Sequence, residues 1–164
     1  MTAAETVQGI GFAADTNQFL TFTLGDEEYG LDILKVQEIK GYSLITRVPR
    51  SPEFVKGVLN LRGTIVPVID LRSRFGLERR EYDQFTVIIV VVVLGRAMGL
   101  IVDAVSDVLN LPPSEIAETP DFSNRVDTRF ISGMGRAGDK LIILLDVEKL
   151  LSSDELQSVE ATQA

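Results

Sequence analysis

Residues 54–71 read FVKGVLNLRGTIVPVIDL, and this apolar frame returns seventy-six positions later as FISGMGRAGDKLIILLDV at residues 130–147. Without a gap, the opening phenylalanine, the glycine three positions on, the long apolar run and the aspartate after it all align. Only the first copy carries the polar turn Asn60-Leu61-Arg62-Gly63, where the second reads Arg136-Ala137-Gly138. A frame that occurs twice predicts two similar structural units.

The segments that precede the two copies also match. Residues 24–39 align with residues 94–108 when one turn residue is deleted, so both parts of the pattern recur in the same order. Short alternating apolar runs between Gly, Pro, Asn and Asp are typical of strands and tight turns. Each unit has about five such runs and no long helix, which predicts a mainly β protein of two small antiparallel barrels. Because units of this size bury little surface alone, we expect them to share a hydrophobic core.

Helical signals are short and few. Residues 73–77 favour a short helix or turn that ends at a glycine. Residues 146–156 predict a C-terminal helix, because Val147, Leu150 and Leu151 are spaced to lie on one face. The expected fold is therefore mainly β with short helices and one C-terminal helix.

The composition along the chain predicts one domain between two tails. Small and polar residues at 1–17 and 157–164 indicate disordered N-terminal and C-terminal tails. Residues 18–156 then form a single domain. We expect its two lobes to cover roughly 18–85 and 86–156 and to be intertwined at their junction.

Composition excludes several function classes. The 164 residues are 45% hydrophobic and 24% charged, as in a folded soluble domain. A net charge of −8 argues against binding to nucleic-acid phosphates. The absence of cysteine and histidine removes disulfides, thiolate chemistry, ordinary zinc sites and the commonest general base. No signal peptide is visible and the longest apolar run, residues 87–94, is too short to span a membrane, so we expect a cytoplasmic protein.

Carboxylates are the one catalytic resource that this composition leaves. The pair Glu27-Glu28 falls in a hairpin turn, without an apolar pocket that would raise the pKa of either group. Asp70 and Asp146 each follow a strand, and we expect both to cap the next turn by accepting a backbone N–H. The sequence therefore predicts neither an enzyme nor a cofactor or metal site.

The polar turn of the first copy has two interpretations. Gly63 is explained by a hairpin that needs a positive φ. Arg62 is either an ordinary solvent-facing arginine or a contact to a partner, since loop tips on rigid scaffolds often bind. Glu38 could be a strand-edge charge that deters aggregation, and Val36 and Val105 could simply be core residues.

Phe122 also leaves two interpretations open. It lies in a long proline-containing segment, residues 112–122, that joins two strands. An aromatic side chain in such a segment is either a plug tucked under the loop or an exposed anchor for a partner.

The motifs at residues 24–39, 54–63, 66–71 and 102–109 resemble CheW, the bacterial chemotaxis coupling protein family, over roughly residues 18–156. The resemblance implies two SH3-like five-stranded β-barrel lobes around a common core, without enzymatic activity. It implies an adaptor in the cytoplasm that couples the cytoplasmic tips of methyl-accepting chemotaxis receptors to the regulatory domain of the CheA histidine kinase. Recruitment to membrane-associated receptor clusters would then occur through these partners.

Residue roles follow from the resemblance by position. The surface for kinase and receptor recognition would comprise Val36, Glu38, Ile39, Gly57, Asn60, Arg62, Gly63 and Val105. Phe122 would lie at a second, ring-forming contact, and Val105 would line a groove between the lobes that receives the receptor tip. Arg62 would offer a bidentate contact to a partner carboxylate. The turn of the second copy departs from the family pattern, so its surface is not assumed to be equivalent.

Two rival functions remain at this stage. One is an acidic structural or chaperone-like β protein without a signalling role. The other is a hydrolase that uses carboxylates only, for which the repeated aspartates Asp70 and Asp146 are the candidates.

Overall fold

The fold is mainly β, as predicted. The computed structural model describes residues 17–43, 45–47, 49–50, 54–78, 80–117 and 130–150. The strands are β1 (Asn17–Leu24), β2 (Glu27–Asp32), β3 (Val36–Gly41), β4 (Val55–Leu61), β5 (Thr64–Asp70), β6 (Val87–Val93), β7 (Arg96–Val102), β8 (Ala104–Leu111), β9 (Ile116–Ala117), β10 (Ile131–Ala137) and β11 (Lys140–Leu145). The helical pieces are α1 (Leu71–Arg74) and the 3₁₀ turns Ile33–Lys35, Pro113–Glu115 and Val147–Lys149.

The strands form two sheets that exchange segments of the chain. The first sheet has the order β9-β10-β11-β2-β1-β8, and the second has β3-β6-β7-β5-β4. The chain crosses from the first sheet to the second through the 3₁₀ turn Ile33–Lys35 and returns at Asp103, between β7 and β8. Each half of the chain therefore contributes strands to both sheets, and neither sheet corresponds to residues 18–85 or 86–156 alone.

Strand register reproduces the internal repeat. The parallel pair β5–β7 matches Val68 with Gly99, and the parallel pair β11–β2 matches Leu144 with Gly30. Leu144 follows Val68 by seventy-six positions and Gly99 follows Gly30 by sixty-nine. The first sheet thus contains the β1–β2 hairpin of the first half together with β8 and the β10–β11 hairpin of the second half. The second sheet contains the β6–β7 hairpin of the second half together with β3 and the β4–β5 hairpin of the first half.

The alignment of residues 24–39 with residues 94–108 deleted one turn residue, and this deletion was wrong. The β1–β2 hairpin closes with Leu24 opposite Glu27, and the β6–β7 hairpin closes with Val93 opposite Arg96, so each turn has two residues. The alignment matched glycine with glycine, whereas Gly25 is the first residue of its turn and Gly95 is the second of its own. Both glycines have a positive φ, and the two turns reach it at different positions. Structurally equivalent residues of this part are therefore sixty-nine positions apart throughout.

The predicted shared core lies between the two sheets. Alternate residues of β6 point to opposite faces, which explains why a run of valines and isoleucines is buried almost throughout. The shared cluster contains residues of both sheets, among them Leu20, Phe22, Tyr29, Leu31, Ile69, Ile89, Val91, Leu100, Ile143 and Leu145. Each sheet has a further apolar cluster of its own: Leu59, Leu61, Val66, Val68, Ile88, Val90 and Ile101 in the second sheet, and Phe19, Leu111, Ile142 and Leu144 in the first.

The sheets are curled but not closed. The chain leaves the edge strand β8, passes Pro113–Glu115 and returns as β9 beside the opposite edge strand β10. After β3, Thr46 similarly bridges to Val58 on the free side of β4. No hydrogen-bonded ladder between the described residues joins the two edges of either sheet. Pro112 and Pro113 have no N–H to donate, which accounts for the break between β8 and β9.

The helical predictions met different outcomes. The predicted short helix at 73–77 begins earlier, as α1, because the Asp70 carboxylate accepts the Arg72 N–H at 3.0 Å. Asp146 accepts the Glu148 N–H at 3.1 Å in the same way, so the capping role predicted for both aspartates is confirmed. The described part of the predicted C-terminal helix is one 3₁₀ turn, and the rest of 146–156 lies outside the described residues.

Candidate interaction surface

The curl of the second sheet brings Glu38 and Arg62 together. Glu38 lies on β3, and Arg62 lies in the turn that joins β4 to β5. The strands β3 and β4 form opposite edges of the sheet. Arg62 Nη1 donates to Glu38 Oε1 at 3.1 Å, and Arg62 Nη2 lies 2.9 Å from Glu38 Oε2. The guanidinium therefore holds the carboxylate with two parallel contacts, the geometry that arginine offers and lysine does not.

The turn that carries Arg62 is shaped by its neighbours. Arg62 and Gly63 have φ values of 52° and 88°, as in a two-residue hairpin with both central residues in the left-handed region. Asn60 Oδ1 accepts the backbone N–H of Gly63 at 2.9 Å. The structure thus gives Asn60 and Gly63 a local task, which is to present Arg62 at the tip.

Electrostatics favour the charged form of both partners. The hydrogen bond from Arg62 holds the pKa of the Glu38 carboxyl below its usual range, and the same bond raises the pKa of Arg62. The Arg62 side chain is 67% exposed and the Glu38 side chain 25%, so the pair lies at the surface. The bidentate contact predicted for a partner carboxylate is made within the chain, to Glu38.

Exposed isoleucines flank this ion pair along the chain. Ile39 follows Glu38 on β3 and is 43% exposed. Ile65, which sequence reasoning missed, is 47% exposed and lies opposite Asn60 in the β4–β5 ladder. Its repeat equivalent Leu141 is also exposed. The signal available in the sequence was an apolar residue near the start of the strand that follows each turn. We call Glu38, Ile39, Asn60, Arg62 and Ile65 the hairpin-tip surface.

Val36 and Val105 are separate from this surface. Both are half-buried and pack against the shared core. Val36 lies opposite Val91, and Val105 lies opposite Phe22, at equivalent positions of the internal repeat. The structure therefore places these two valines at the junction of the sheets.

Gly57 has a structural reason to be glycine. It forms a bulge in β4 with φ of 150°, and a Cβ atom built on it would lie 2.0 Å from the Thr46 carbonyl oxygen. That carbonyl accepts the Val58 N–H at 2.7 Å. Gly57 thus allows close backbone approach and contributes no side chain to the surface. Phe122 lies outside the described residues.

Asp103 anchors a second polar cluster, where the chain returns to the first sheet. It accepts hydrogen bonds from Arg72 Nε at 2.8 Å, Arg72 Nη2 at 2.7 Å, the Gly25 N–H at 2.8 Å and Arg80 Nη1 at 3.1 Å. Burial alone would raise the pKa of Asp103, but the bonds from Arg72 and Gly25 outweigh it and the pKa is lowered. We call Gly25, Arg72, Arg80 and Asp103 the polar clasp. It ties the β1–β2 turn of the first sheet to the α1 segment of the second.

Two kinds of feature are absent from the described part of the chain. No three carboxylates within it converge as a metal site would require. No helix among the described residues is long and apolar enough to cross a membrane. What the geometry does offer is surface: an ion-paired hairpin tip and two half-buried valines at the sheet junction.

Similarity to known proteins shows the family to which this chain belongs. The model of the CheW-like domain matches residues 18–155. The chain belongs to the CheW family. It is 48% identical over 160 residues to the chemotaxis protein CheW of Klebsiella aerogenes, covering 98% of this chain and 96% of that protein. It is 35% identical over 141 residues to the chemotaxis protein CheW of Rhizobium meliloti, covering 86% and 91%.

A solved structure agrees with this assignment to the CheW family. The crystal structure of the scaffolding protein TtCheW from Thermoanaerobacter tengcongensis superimposes with a TM-score of 0.80 at 40% sequence identity. The match covers 85% of this chain and 94% of that one. The chain is therefore a member of a family of chemotaxis scaffolding proteins, and the resemblance seen in the sequence motifs is confirmed.

Proposed function

We propose that this chain is a non-enzymatic adaptor that couples chemoreceptor tips to the CheA histidine kinase. In this function it binds the cytoplasmic tip of a methyl-accepting receptor and the regulatory domain of the kinase at the same time. It works in the cytoplasm and reaches membrane-associated receptor clusters through these partners. Membership of a family whose members are named chemotaxis and scaffolding proteins supports the proposal.

The observation that carries the proposal is the pre-formed hairpin-tip surface. Arg62 and Glu38 hold each other across the two edges of the second sheet, so neither side chain must be ordered when a partner arrives. Pre-organised contacts of this kind lower the entropic cost of binding. Ile65, opposite Asn60 in the β4–β5 ladder, and Ile39, the next residue after Glu38 on β3, add exposed apolar area to this part of the second sheet, as at the mixed surfaces where proteins associate.

The lobes and the groove belong to the same proposal. We interpret the two curled sheets as the SH3-like lobes of the family, and the junction between them as the groove that receives the receptor tip. Val105 would line this groove, and Val36 is half-buried at the equivalent position of the internal repeat. Phe122 would make the ring-forming contact to a further lobe.

Reconstitution with receptor fragments and CheA tests the coupling directly. We expect receptor-dependent phosphate flux through the kinase only when the chain is added. We expect Arg62→Ala to weaken binding to kinase or receptor and to leave folding nearly unchanged, because the side chain is largely exposed. Arg136→Ala is the matched control, because Arg136 is an exposed arginine in the equivalent hairpin of the second copy.

Three outcomes would contradict the proposal. Flux that does not depend on the added chain would refute coupling. Equal losses for Arg62→Ala and Arg136→Ala would remove the hairpin-tip surface from recognition. An unfolded Arg62→Ala variant whose folded remainder binds normally would make the turn a structural element only.

A further inference from the structure

A groove opens in the first sheet where the shared core reaches the surface. Along the core-facing side of β11, Leu145 and Ile143 are buried, whereas Leu141 is 61% exposed. Met134 lies opposite Ile143 on β10 and packs against the same core. Met134, Leu141 and Ile143 form the apolar side of a groove of about 500 Å³, which is within the roughly 300–1,000 Å³ of known ligand sites.

The strand β2 brings carboxylates to this groove. In the parallel pair of β11 with β2, Ile143 lies beside Tyr29. Glu27 and Leu141 stand two residues earlier on these strands, so both point to the same face. On the other side of β11, Arg136 of β10 lies opposite Leu141. The negative charge is therefore confined to the β2 side of the exposed leucine.

Most of this negative charge is uncompensated. Asp26, Glu27 and Glu28 all line the groove, with Lys140 as its one basic lining residue in the described part of the chain. The Lys140 ammonium lies 3.8 Å from Glu28. Neither Asp26 nor Glu27 forms an ion pair with another described residue. We call the carboxylates and the apolar side together the acidic groove: Asp26, Glu27, Glu28, Met134, Leu141 and Ile143.

The internal repeat shows that the fold does not require these carboxylates. Structurally equivalent residues of the two hairpins are sixty-nine positions apart, so Asp26-Glu27-Glu28 corresponds to Gly95-Arg96-Ala97. The same kind of hairpin thus carries three carboxylates in the first sheet and one arginine in the second. Its negative charge is a property of the acidic groove and not of the turn geometry.

We propose that the acidic groove binds a segment of a partner protein that carries basic side chains next to aliphatic ones. The uncompensated carboxylates attract Lys or Arg, and complementary charge of this kind selects a partner. The exposed Leu141 favours an aliphatic neighbour, because contact removes apolar area of both from water. Residues 1–16 and 151–164 of this chain contain no Lys or Arg, so neither segment has the chemistry of this occupant.

A peptide titration on the full chain tests the proposal. The probe is acetyl-Leu-Arg-Leu-Lys-Leu-amide, and acetyl-Leu-Gln-Leu-Gln-Leu-amide measures binding without the charges. We expect the basic peptide to shift the backbone NMR signals of Glu27 and Leu141. We expect it to bind at least about fivefold more tightly than the neutral peptide, and this advantage to shrink at high salt.

Charge reversal at Glu27 separates the groove from general attraction to a chain of net charge −8. The hairpin should tolerate Glu27→Arg, because Arg96 occupies the equivalent position. We expect this variant to bind the basic peptide at least about tenfold more weakly. Glu148→Arg is the matched control, because it makes the same charge change beside Lys35, where the chain crosses between the sheets at the repeat equivalent of the polar clasp. We expect a change of less than about twofold there.

Truncation of Leu141 tests the apolar side. We expect Leu141→Ala to bind the basic peptide about three- to fivefold more weakly, because less apolar area is buried on contact. Leu94→Ala is the control, since Leu94 is a 73% exposed leucine in the β6–β7 turn of the second sheet. We expect that control to bind as wild type does.

Five outcomes would overturn the proposal. They are absence of binding, equal affinity for the two peptides, and equal losses for Glu27→Arg and Glu148→Arg. A peptide that binds only after Arg125→Gln and Arg129→Gln would assign the groove to residues 118–129 of the same chain. Dimers in sedimentation that Glu27→Arg abolishes would assign it to a second copy. The titration contains neither receptor nor kinase, so none of these outcomes affects the proposed function.

Discussion

Replacement of Asp103 by alanine tests whether the polar clasp holds the two sheets together. The substitution removes the acceptor of four hydrogen bonds and leaves Arg72, whose side chain is 13% exposed, without its carboxylate. Truncation of one partner of a buried ion pair costs about 3–5 kcal/mol. Because both side chains keep some contact with water, we expect a smaller loss, about 2–3 kcal/mol.

Urea denaturation measures this loss. We expect the midpoint to fall with little change in the slope, since the surface exposed on unfolding stays the same. For a domain of this size, the corresponding decrease in Tm is about 5–10 °C. Glu148→Ala is the matched control, because Glu148 pairs with Lys35 at the equivalent junction and both side chains are about 40% exposed. We expect that control to cost about 0–1 kcal/mol.

The pH dependence of stability gives an independent check. The folded-state pKa of Asp103 lies below its ordinary value of 3.8. Its contribution to stability is therefore fully present above that value and is lost as the pH falls through the lowered pKa. The difference in unfolding free energy between the wild type and Asp103→Ala should shrink in this acidic range. A loss for Asp103→Ala no larger than that for Glu148→Ala, or a difference that stays constant under acid, would refute the reasoning.

Three further substitutions test the stability of the strand framework. Gly57→Ala should destabilise the fold by at least about 2 kcal/mol in urea denaturation, since a Cβ atom would meet the Thr46 carbonyl oxygen at 2.0 Å; a stability equal to that of wild type would show that the bulge relaxes freely. Asp70→Ala should cost about 2–3 kcal/mol and Asp146→Ala about 1 kcal/mol, because Asp70 is buried and also accepts the Tyr82 hydroxyl at 2.7 Å. Equal losses at the two aspartates would remove the Tyr82 contact from the explanation.

The internal repeat shows which structural features could be predicted from sequence patterns. Aligned glycines and aspartates predicted two equivalent units, and the register of Gly30 and Gly99 in their parallel pairs agrees. The same glycine matching misplaced the β6–β7 turn, because glycine satisfies a positive φ at either position of a two-residue turn. Only the pairing of the flanking strands decides which position that is.

The hairpin-tip surface shows which contacts could not be predicted from sequence patterns. The turn predicted Gly63 at positive φ and left Arg62 with two interpretations. Glu38, twenty-four positions earlier, was interpreted either as a strand-edge charge or, from the family resemblance, as part of a recognition surface, and no local pattern indicates that it holds Arg62. Their contact depends on the curl of the whole second sheet.

The order of apolar, glycine and acidic residues determined by itself that this chain builds short strands in two related sets around buried β-branched side chains. Those preferences are local, since they arise from side-chain periodicity and turn geometry within a few residues. Which set joins which sheet was decided only by the tertiary structure, because the crossings at Ile33–Lys35 and Asp103 exchange strands between the halves. Glu38 meets Arg62, and Asp103 meets Arg72, through that exchange and the curl of the sheets, in which distant parts of the chain pack together.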